Sequence, residues 1–357
     1  MAVPRICVVG GGTFGLMHLR AFRQFQREGR CEFLALADVN EHVLEDRARE
    51  FAMRTYTAYG EMLEREQPDG VAIATPDHLH REVALAALAS GSHALVEKPL
   101  DVTVEGCTAM IDAAREADAL LQVDFHKRYD PYHAELYRLA REGKFGQIEY
   151  AYAWIEDRIE VPRDWLSSWA AESSPAWFLG IHMVDLFCWV AQAKGRRVHA
   201  TGTRKKLPTI GLDAWDSVCF SVEMEGDATL QCQTSWVLPD AFEGIVNQGI
   251  RVVGTEGIME VDSQNRGAEC CFASEGGMAT PNLGFFRRTQ DARGETLYGG
   301  YGIDAIGHFV DNVAFLMEGG SLADLAGTYP GGEDGLEATR IVAAAHESLA
   351  SGELVDV

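Results

Sequence analysis

Glu97-Lys98-Pro99 closes an apolar run, Ser92-His93-Ala94-Leu95-Val96, and so delivers a lysine to the end of an expected buried strand. In open α/β sheets, ligands sit beyond the carboxyl ends of the strands, so a charge emerging there is placed for chemistry. A second candidate is His182, inside residues 176–190, a stretch apolar almost all round and therefore expected to be a buried helix. Asp185 follows three residues later on the same helical face. Proton transfer at an oxygen requires a base for the hydroxyl proton and a positive group to steady the developing negative charge. Imidazole, which titrates near neutral pH, suits the first task, and a lysine suits the second. The plainer readings are a surface lysine after a strand and a structural His–Asp pair.

The elements that must position these groups are legible upstream. Ile6-Cys7-Val8-Val9 is a continuous apolar run, as a strand buried on both faces should be. It leads into Gly10-Gly11-Gly12-Thr13-Phe14-Gly15, which satisfies G-x-G-x-x-G and opens an expected helix over 15–28. In that pattern the first glycine permits a tight turn, the second lets backbone approach a pyrophosphate, and the third lets helix pack on strand. The diphosphate rests on the free N–H groups at the positive end of the helix, which makes Thr13 and Phe14 contacts as well. Asp38 ends the second strand (32–37), 23 residues after Gly15, where a carboxylate can accept hydrogen bonds from both adenosine ribose hydroxyls. No basic residue follows it immediately, so NAD is expected over NADP, which stays as the alternative. A strand-end turn former is the plainer reading of Asp38.

Alternating strands and helices continue to residue 123: helix 41–52, strand 70–74, helix 78–90 ending at Gly91, strand 93–97, helix 103–117 and strand 120–123. That grammar predicts a doubly wound parallel sheet, a dinucleotide-binding domain over 1–123. From 124 the pattern changes. One helix (131–142) gives way to alternating strands at 148–155, 198–204, 218–223, 228–236, 250–253 and 257–261, with helices at 176–193, 301–317 and 333–351. These predict a second α/β domain over 124–357 built on a large open mixed or antiparallel sheet with one solvated face. Its last helix is a candidate to pack back on the first domain. Residues 262–300 read as a long loop.

Of the 357 residues 47% are hydrophobic, enough for two cores, and the formal net charge is −23. That balance argues against nucleic acid and against an anionic membrane surface. The eight cysteines form no C-x-x-C pair and read as reduced thiols. No signal peptide and no membrane-spanning run is evident, so the expected location is cytoplasmic. His78 and His80 stand two apart, and neither H-E-x-x-H nor a cysteine cluster occurs, so no metal site is expected.

Taken together, the glycine turn, Asp38, Thr75-Pro76-Asp77-His78-Leu79-His80, Glu97-Lys98-Pro99 and Phe125-His126-Lys127-Arg128-Tyr129-Asp130-Pro131 resemble the Gfo/Idh/MocA oxidoreductases. That family is named for glucose–fructose oxidoreductase and inositol dehydrogenase. The likeness continues through Gly180-Ile181-His182-Met183-Val184-Asp185, Gly254-Thr255-Glu256-Gly257 and Glu333-Asp334-Gly335, nearly the whole chain. It implies a Rossmann domain followed by an open-sheet domain that builds homodimers or homotetramers. The implied activity is reversible oxidation of a secondary alcohol on a sugar, cyclitol or sugar derivative, with NAD or NADP taking the hydride. It further implies that Lys98 contacts the reacting oxygen, that Pro99 is cis, that His182 acts in proton transfer and that Thr75 touches the nicotinamide half of the cofactor.

There is one departure. Many relatives carry an aspartate four residues before the histidine, where this chain has Phe178. The expectation is that Asp185 or a substrate hydroxyl orients His182, and that Phe178 packs on the sugar ring or its neighbours. Further substrate candidates are Arg128, which reads equally as an inter-domain salt bridge, Tyr129, Trp165 with Trp169, and more weakly His308. Pro76, His80 and Glu97 are expected at the cofactor, with capping the competing role for His80. Two other function classes remain open. One is a glycoside-cleaving or lyase-type enzyme that oxidises its sugar transiently and retains NAD. The other is a non-catalytic, cofactor-sensing regulator.

Overall fold

The short apolar runs before residue 124, buried on both faces, leave their backbone groups only neighbouring strands to bond and so pair in parallel, with one short, partly exposed strand added at the edge. In this computed structural model, which describes residues 2–271 and 277–357, they form a six-stranded sheet. Its members are β1 (Arg5–Val9), β2 (Glu32–Ala37), β3 (Arg54–Tyr56), β4 (Gly70–Ile73), β5 (His93–Val96) and β6 (Leu121–Val123). The order is β3-β2-β1-β4-β5-β6, all parallel, so the strand order reverses between β1 and β4. A crevice for ligands opens at such a switch point, beyond the carboxyl ends of the strands.

Helices α1 (Thr13–Arg27), α2 (Glu41–Phe51), α3 (Tyr59–Glu66), α4 (His80–Ala89) and α5 (Val104–Glu116) make the crossovers. Leu19, Phe22 and Phe25 of α1 recur on one stripe, and all three are buried in the core of this unit. Full burial of each such side chain contributes about 1.5–3 kcal/mol. Asn40 caps α2 and Thr103 caps α5 with side-chain oxygens, which fixes where each helix starts.

By internal contacts the chain divides into two units, one running to Tyr129 and joined by Phe285–Leu336, the other Asp130–Gly284 joined by Glu337–Val357. The chain therefore passes between units more than once, rather than a single time at 123. What returns to the first unit includes α8 (Tyr301–Met317), whose Ile303, Ile306, Phe309 and Val310 join the same core as α1. The final helix α9 (Gly332–Ser351) begins in the first unit and continues in the second.

The second unit carries a seven-stranded mixed sheet. Its strands are β7 (Ile148–Arg158), β8 (Gly195–Thr203), β9 (Ser217–Met224), β10 (Thr229–Leu238), β11 (Val246–Gly254), β12 (Ile258–Asp262) and, after α9, β15 (Val355–Asp356). The order is β12-β11-β7-β10-β9-β8-β15, with β7 and β10 parallel and the other pairs antiparallel. Alternation is clean. Ala151, Ala153 and Ile155 of β7 and Val218, Phe220 and Val222 of β9 point inward, while Tyr150, Tyr152, Cys219 and Ser221 point out. Helices α6 (Pro131–Arg141) and α7 (Ile181–Ala191) belong to this unit.

Several expected elements differ in detail. Residues 53–67, which carry too short an apolar period to read, hold β3 and α3. The expected helix over 78–90 is a single 3₁₀ turn, Asp77–Leu79, followed by α4. The expected helix over 176–193 opens as a π-turn, Ala176–Gly180, before α7 begins. The stretch read as loop, 262–300, contains a hairpin of β13 (Arg287–Gln290) and β14 (Thr296–Gly299), whose side chains are exposed or half-buried and so give no apolar signal. Residues 272–276 of that stretch lie outside the described residues. Among the described residues, no helix is long and apolar enough to cross a membrane.

Candidate active site

The turn between β1 and α1 is shaped by its glycines. Gly10 has φ +96°, a left-handed conformation that L side chains rarely adopt, and a Cβ there would meet the Ala74 carbonyl oxygen at 2.4 Å. A Cβ on Gly15 would lie 2.0 Å from the Gly10 carbonyl oxygen, so only glycine lets the helix start this close to the turn. A Cβ on Gly12 would meet nothing within 4 Å. That middle glycine faces open space, where a ligand rather than protein needs the close approach. No side chain caps α1, and a helix start is where backbone dipoles favour an anion.

Asp38 extends from the end of β2 beneath this turn. Its Oδ2 accepts the Gly11 N–H at 2.7 Å and its Oδ1 accepts the Asn40 N–H at 2.8 Å. The carboxylate is thus fixed against the glycine turn. Arg47 of α2 donates from Nε to the Gly11 carbonyl oxygen at 3.1 Å and braces the turn from the other side. The Thr75 Oγ1, past the end of β4, is buried without a hydrogen-bond partner. An uncapped helix start, a fixed carboxylate and an orphaned hydroxyl beyond β4 together fit a dinucleotide laid across the strand ends.

His80, expected at the cofactor or as a cap, sits between two turns. Its Nδ1 lies 2.7 Å from the Pro99 carbonyl oxygen and its Nε2 2.9 Å from the Thr75 carbonyl oxygen. With both ring nitrogens near backbone carbonyls, His80 braces the Thr75-Pro76 turn against the Lys98-Pro99 turn. The Lys98–Pro99 peptide is cis. Lys98 is buried, with its Nζ 5.7 Å from the centroid of the Phe14 ring.

Glu97, expected at the cofactor, is held by a buried histidine. Its Oε1 lies 2.9 Å from Nε2 of His18, a residue of α1 that is wholly buried. The Oδ2 of Asp124, the first residue after β6, lies 3.7 Å from the same nitrogen. Burial pushes the Glu97 carboxyl up, but the His18 hydrogen bond and the charges of His18, Lys98 and His126 outweigh it and bring it down to about 2. Asp124 behaves oppositely. Burial, then the Glu97 charge and a hydrogen bond with Glu97, hold it well above the usual carboxylate range, and Lys98 offsets only part of this. Among the described residues, His18, Glu97 and Asp124 are also the three whose ligand atoms, all within 4.8 Å of one another, could hold a metal ion. Sequence reading missed this cluster. Its members are separated by 79 and 27 residues, and the only available signal was a histidine three residues after Gly15 on the apolar stripe of α1.

Arg128 is held by Asp334 at 2.8 Å (Nη2 to Oδ1), an ion pair inside the first unit rather than a link between domains. Tyr129 shares a hydrogen bond of 2.7 Å with Nδ1 of His308, which places His308 as a partner of that hydroxyl.

In the second unit, His182 and Asp185 lie three apart on α7, and both are buried. The π-turn ahead of α7 is a feature often found at functional sites. It sets the direction of Phe178, whose ring lies 6.1 Å from Trp169 and 6.0 Å from Trp236. Phe178 therefore packs on aromatic neighbours within its own unit. Trp165 is 40% exposed, at the end of a π-turn over Val161–Trp165.

A switch-point crevice with a nucleotide-binding glycine turn defines the class, a Rossmann-type oxidoreductase fold with an attached open-sheet unit. The chain belongs to the GFO/IDH/MocA oxidoreductases. Residues 4–125 match the family's NAD-binding Rossmann fold and residues 133–260 match the GFO/IDH/MocA C-terminal domain. NAD is thus the cofactor of the first unit. The chain is 24% identical over 255 residues to inositol 2-dehydrogenase of Rubrobacter xylanophilus, covering 71% of this chain and 70% of that protein. It is 30% identical over 190 residues to D-glucoside 3-dehydrogenase of Escherichia coli, covering 50% and 52% respectively. It is 32% identical over 164 residues to an α-N-acetylgalactosaminidase of Shewanella oneidensis, covering 43% of this chain and 35% of that protein. The structure of myo-inositol 2-dehydrogenase from Lactobacillus plantarum superposes with a TM-score of 0.80 at 19% identity, over the whole of both chains, a likeness of fold.

Proposed function

We propose that this protein is an NAD-dependent dehydrogenase or reductase acting on a secondary alcohol of a sugar, cyclitol or sugar derivative. The observation that carries the reading is a buried lysine at the carboxyl end of β5, beside a strand-order reversal and a glycine turn that fits a dinucleotide. The relatives named as inositol and glucoside dehydrogenases support the substrate class.

Gly10, Gly12 and Gly15 would admit the diphosphate to the start of α1, with Thr13 and Phe14 at its backbone donors, while Asp38 would take the adenosine ribose. Thr75 and Pro76 would border the nicotinamide half, the Thr75 hydroxyl gaining the partner it lacks. The bound nicotinamide supplies the hydride acceptor. Lys98 steadies the oxygen as it becomes an alkoxide, and His182 accepts its proton, with Asp185 on the same helical face to orient the ring. Tyr129, Trp165 and Phe178 are proposed as the substrate's polar and aromatic surroundings, and Arg128 through the edge of its Asp334 pair.

The test is absorbance of reduced nicotinamide across a panel of sugars, inositols and sugar nucleotides with NAD and with NADP. The expected result is turnover of at least one polyol with NAD preferred. Binding of NAD without turnover of any of them would favour a cofactor-sensing regulator. The likeness to an α-N-acetylgalactosaminidase favours one second reading, glycoside cleavage by transient oxidation with retained NAD. That reading predicts sugar release from a glycoside with no net accumulation of NADH.

We also propose that the outer face of the seven-stranded sheet joins copies of the chain as a homodimer or homotetramer. Tyr150 and Tyr152 are 44% and 42% exposed there, and Tyr152 stacks on Trp154 with centroids 5.6 Å apart. Size-exclusion chromatography with light scattering tests it, since Tyr152→Asp should shift the parent oligomer to monomer while NAD binding persists. A monomeric parent would end the proposal.

A further inference from the structure

His18, Glu97 and Asp124 come from three separate elements to one fully buried point behind Lys98. Neither oxygen of Asp124 receives a hydrogen bond from any donor, although both are wholly buried. A buried carboxylate left so is expensive, and two ionised carboxylates this close are more so. A proton retained on Asp124 removes the second penalty and eases the first. If Asp124 keeps its proton, its hydroxyl donates to Glu97, which already lies 2.9 Å from His18 on its other side.

We infer that Asp124 is a neutral carboxylic acid that shares its proton with Glu97 and acts as a positioning residue, holding one negative charge, not two, behind Lys98. The direction of the two carboxyl shifts agrees with this assignment of the proton. The groups around the pair are His18 on α1, Lys98 beside Glu97, and His126 in the short turn after β6, whose ring stacks on Tyr301 of α8 at 5.8 Å. With a single charge behind it, the Lys98 ammonium has attraction left for an oxygen that is becoming an alkoxide. A second charge would draw the ammonium back. The inference rests on the proposed role of Lys98, but the state of the proton does not.

The first measurement therefore needs no substrate. Infrared difference spectra of the holo-protein between Asp124→Asn and the parent should show the carbonyl stretch of a neutral carboxylic acid, present in the parent from pH 5 to 8 and absent in the variant. Should the Asn variant fail to fold, the parent alone still reports whether a neutral carboxyl persists at pH 8, where exposed carboxylates are ionised. No such band, or a stoichiometric divalent metal in the purified protein, overturns the inference. The second measurement is turnover against pH. Asp124→Asn, which keeps a neutral donor to Glu97, should stay within about threefold of the parent at pH 7 and move the alkaline limb of kcat upward. Asp124→Ala, which leaves Glu97 without that donor, should lose about tenfold or more. Equal loss in both variants with an unmoved limb overturns the positioning role. A protein inactive on every alcohol, yet showing the band, counts against the proposed reaction and for the shared proton.

Discussion

The Gly11 N–H donates to Asp38 Oδ2 at 2.7 Å, so the carboxylate that would face the ribose is locked to the turn that would hold the diphosphate. Replacing Asp38 therefore touches both halves of the nucleotide site. Asp38→Ala should weaken NAD binding about tenfold or more, the loss of one to two charge-assisted hydrogen bonds, while NADP, no longer repelled, weakens less or improves. Calorimetric titration with each cofactor checks this. An unchanged ratio of the two affinities removes Asp38 from the site.

His182 lies on a helix that is buried nearly throughout, and its replacement by asparagine keeps a polar side chain of similar reach. His182→Asn should leave the NAD dissociation constant within about twofold and lower kcat by about 10²–10⁴-fold, the range for loss of a general base. Near-normal turnover in the assay that gives the parent rate would show that the proton leaves by another route.

Phe178 fills a space between Trp169 and Trp236, and its side chain is buried. Phe178→Ala should cost about 3–5 kcal/mol of folding stability, combining lost transfer energy with the cavity left between the indoles. Urea denaturation of the two proteins measures it. A loss under about 1 kcal/mol would mean that the aromatic neighbours collapse into the gap.

Acidity should affect Asp124 and Glu97 with opposite signs. Glu97, depressed in the fold from 4.5 to about 2, contributes stability at pH above 4.5 that is lost as pH falls through 2. Asp124 is raised from 3.8, so the fold retains a proton that the unfolded chain releases, and stability declines as pH rises above 3.8. That decline is about 1.4 kcal/mol per pH unit for one proton, until Asp124 ionises in the fold as well. Asp124→Asn abolishes it. Urea midpoints at pH 4, 5.5 and 7 should separate progressively in favour of the variant, and a constant separation would contradict the raised Asp124.

Much of the first unit was written in local pattern. A continuous apolar run followed by G-x-G-x-x-G, and an acid at the end of the next strand, admit few arrangements, because strand burial, glycine geometry and helix start are all properties of neighbouring residues. The outward and inward sets of the second sheet were equally legible, since alternation along a strand assigns each side chain to a face. Contacts between distant positions were not. Nothing local says that His80 would spend both ring nitrogens on the Thr75 and Pro99 carbonyls, that Arg128 would close on Asp334, or that α8 would return to the core of the first unit. The buried meeting of His18, Glu97 and Asp124 belongs to the same class. Each residue is ordinary in its own segment, and only the parallel order of β5 and β6 with α1 packed nearby removes the water that would otherwise let all three ionise independently. Sequence sets the propensities of segments, whereas desolvation, and with it the charge state of a group, depends on which segments the fold brings together.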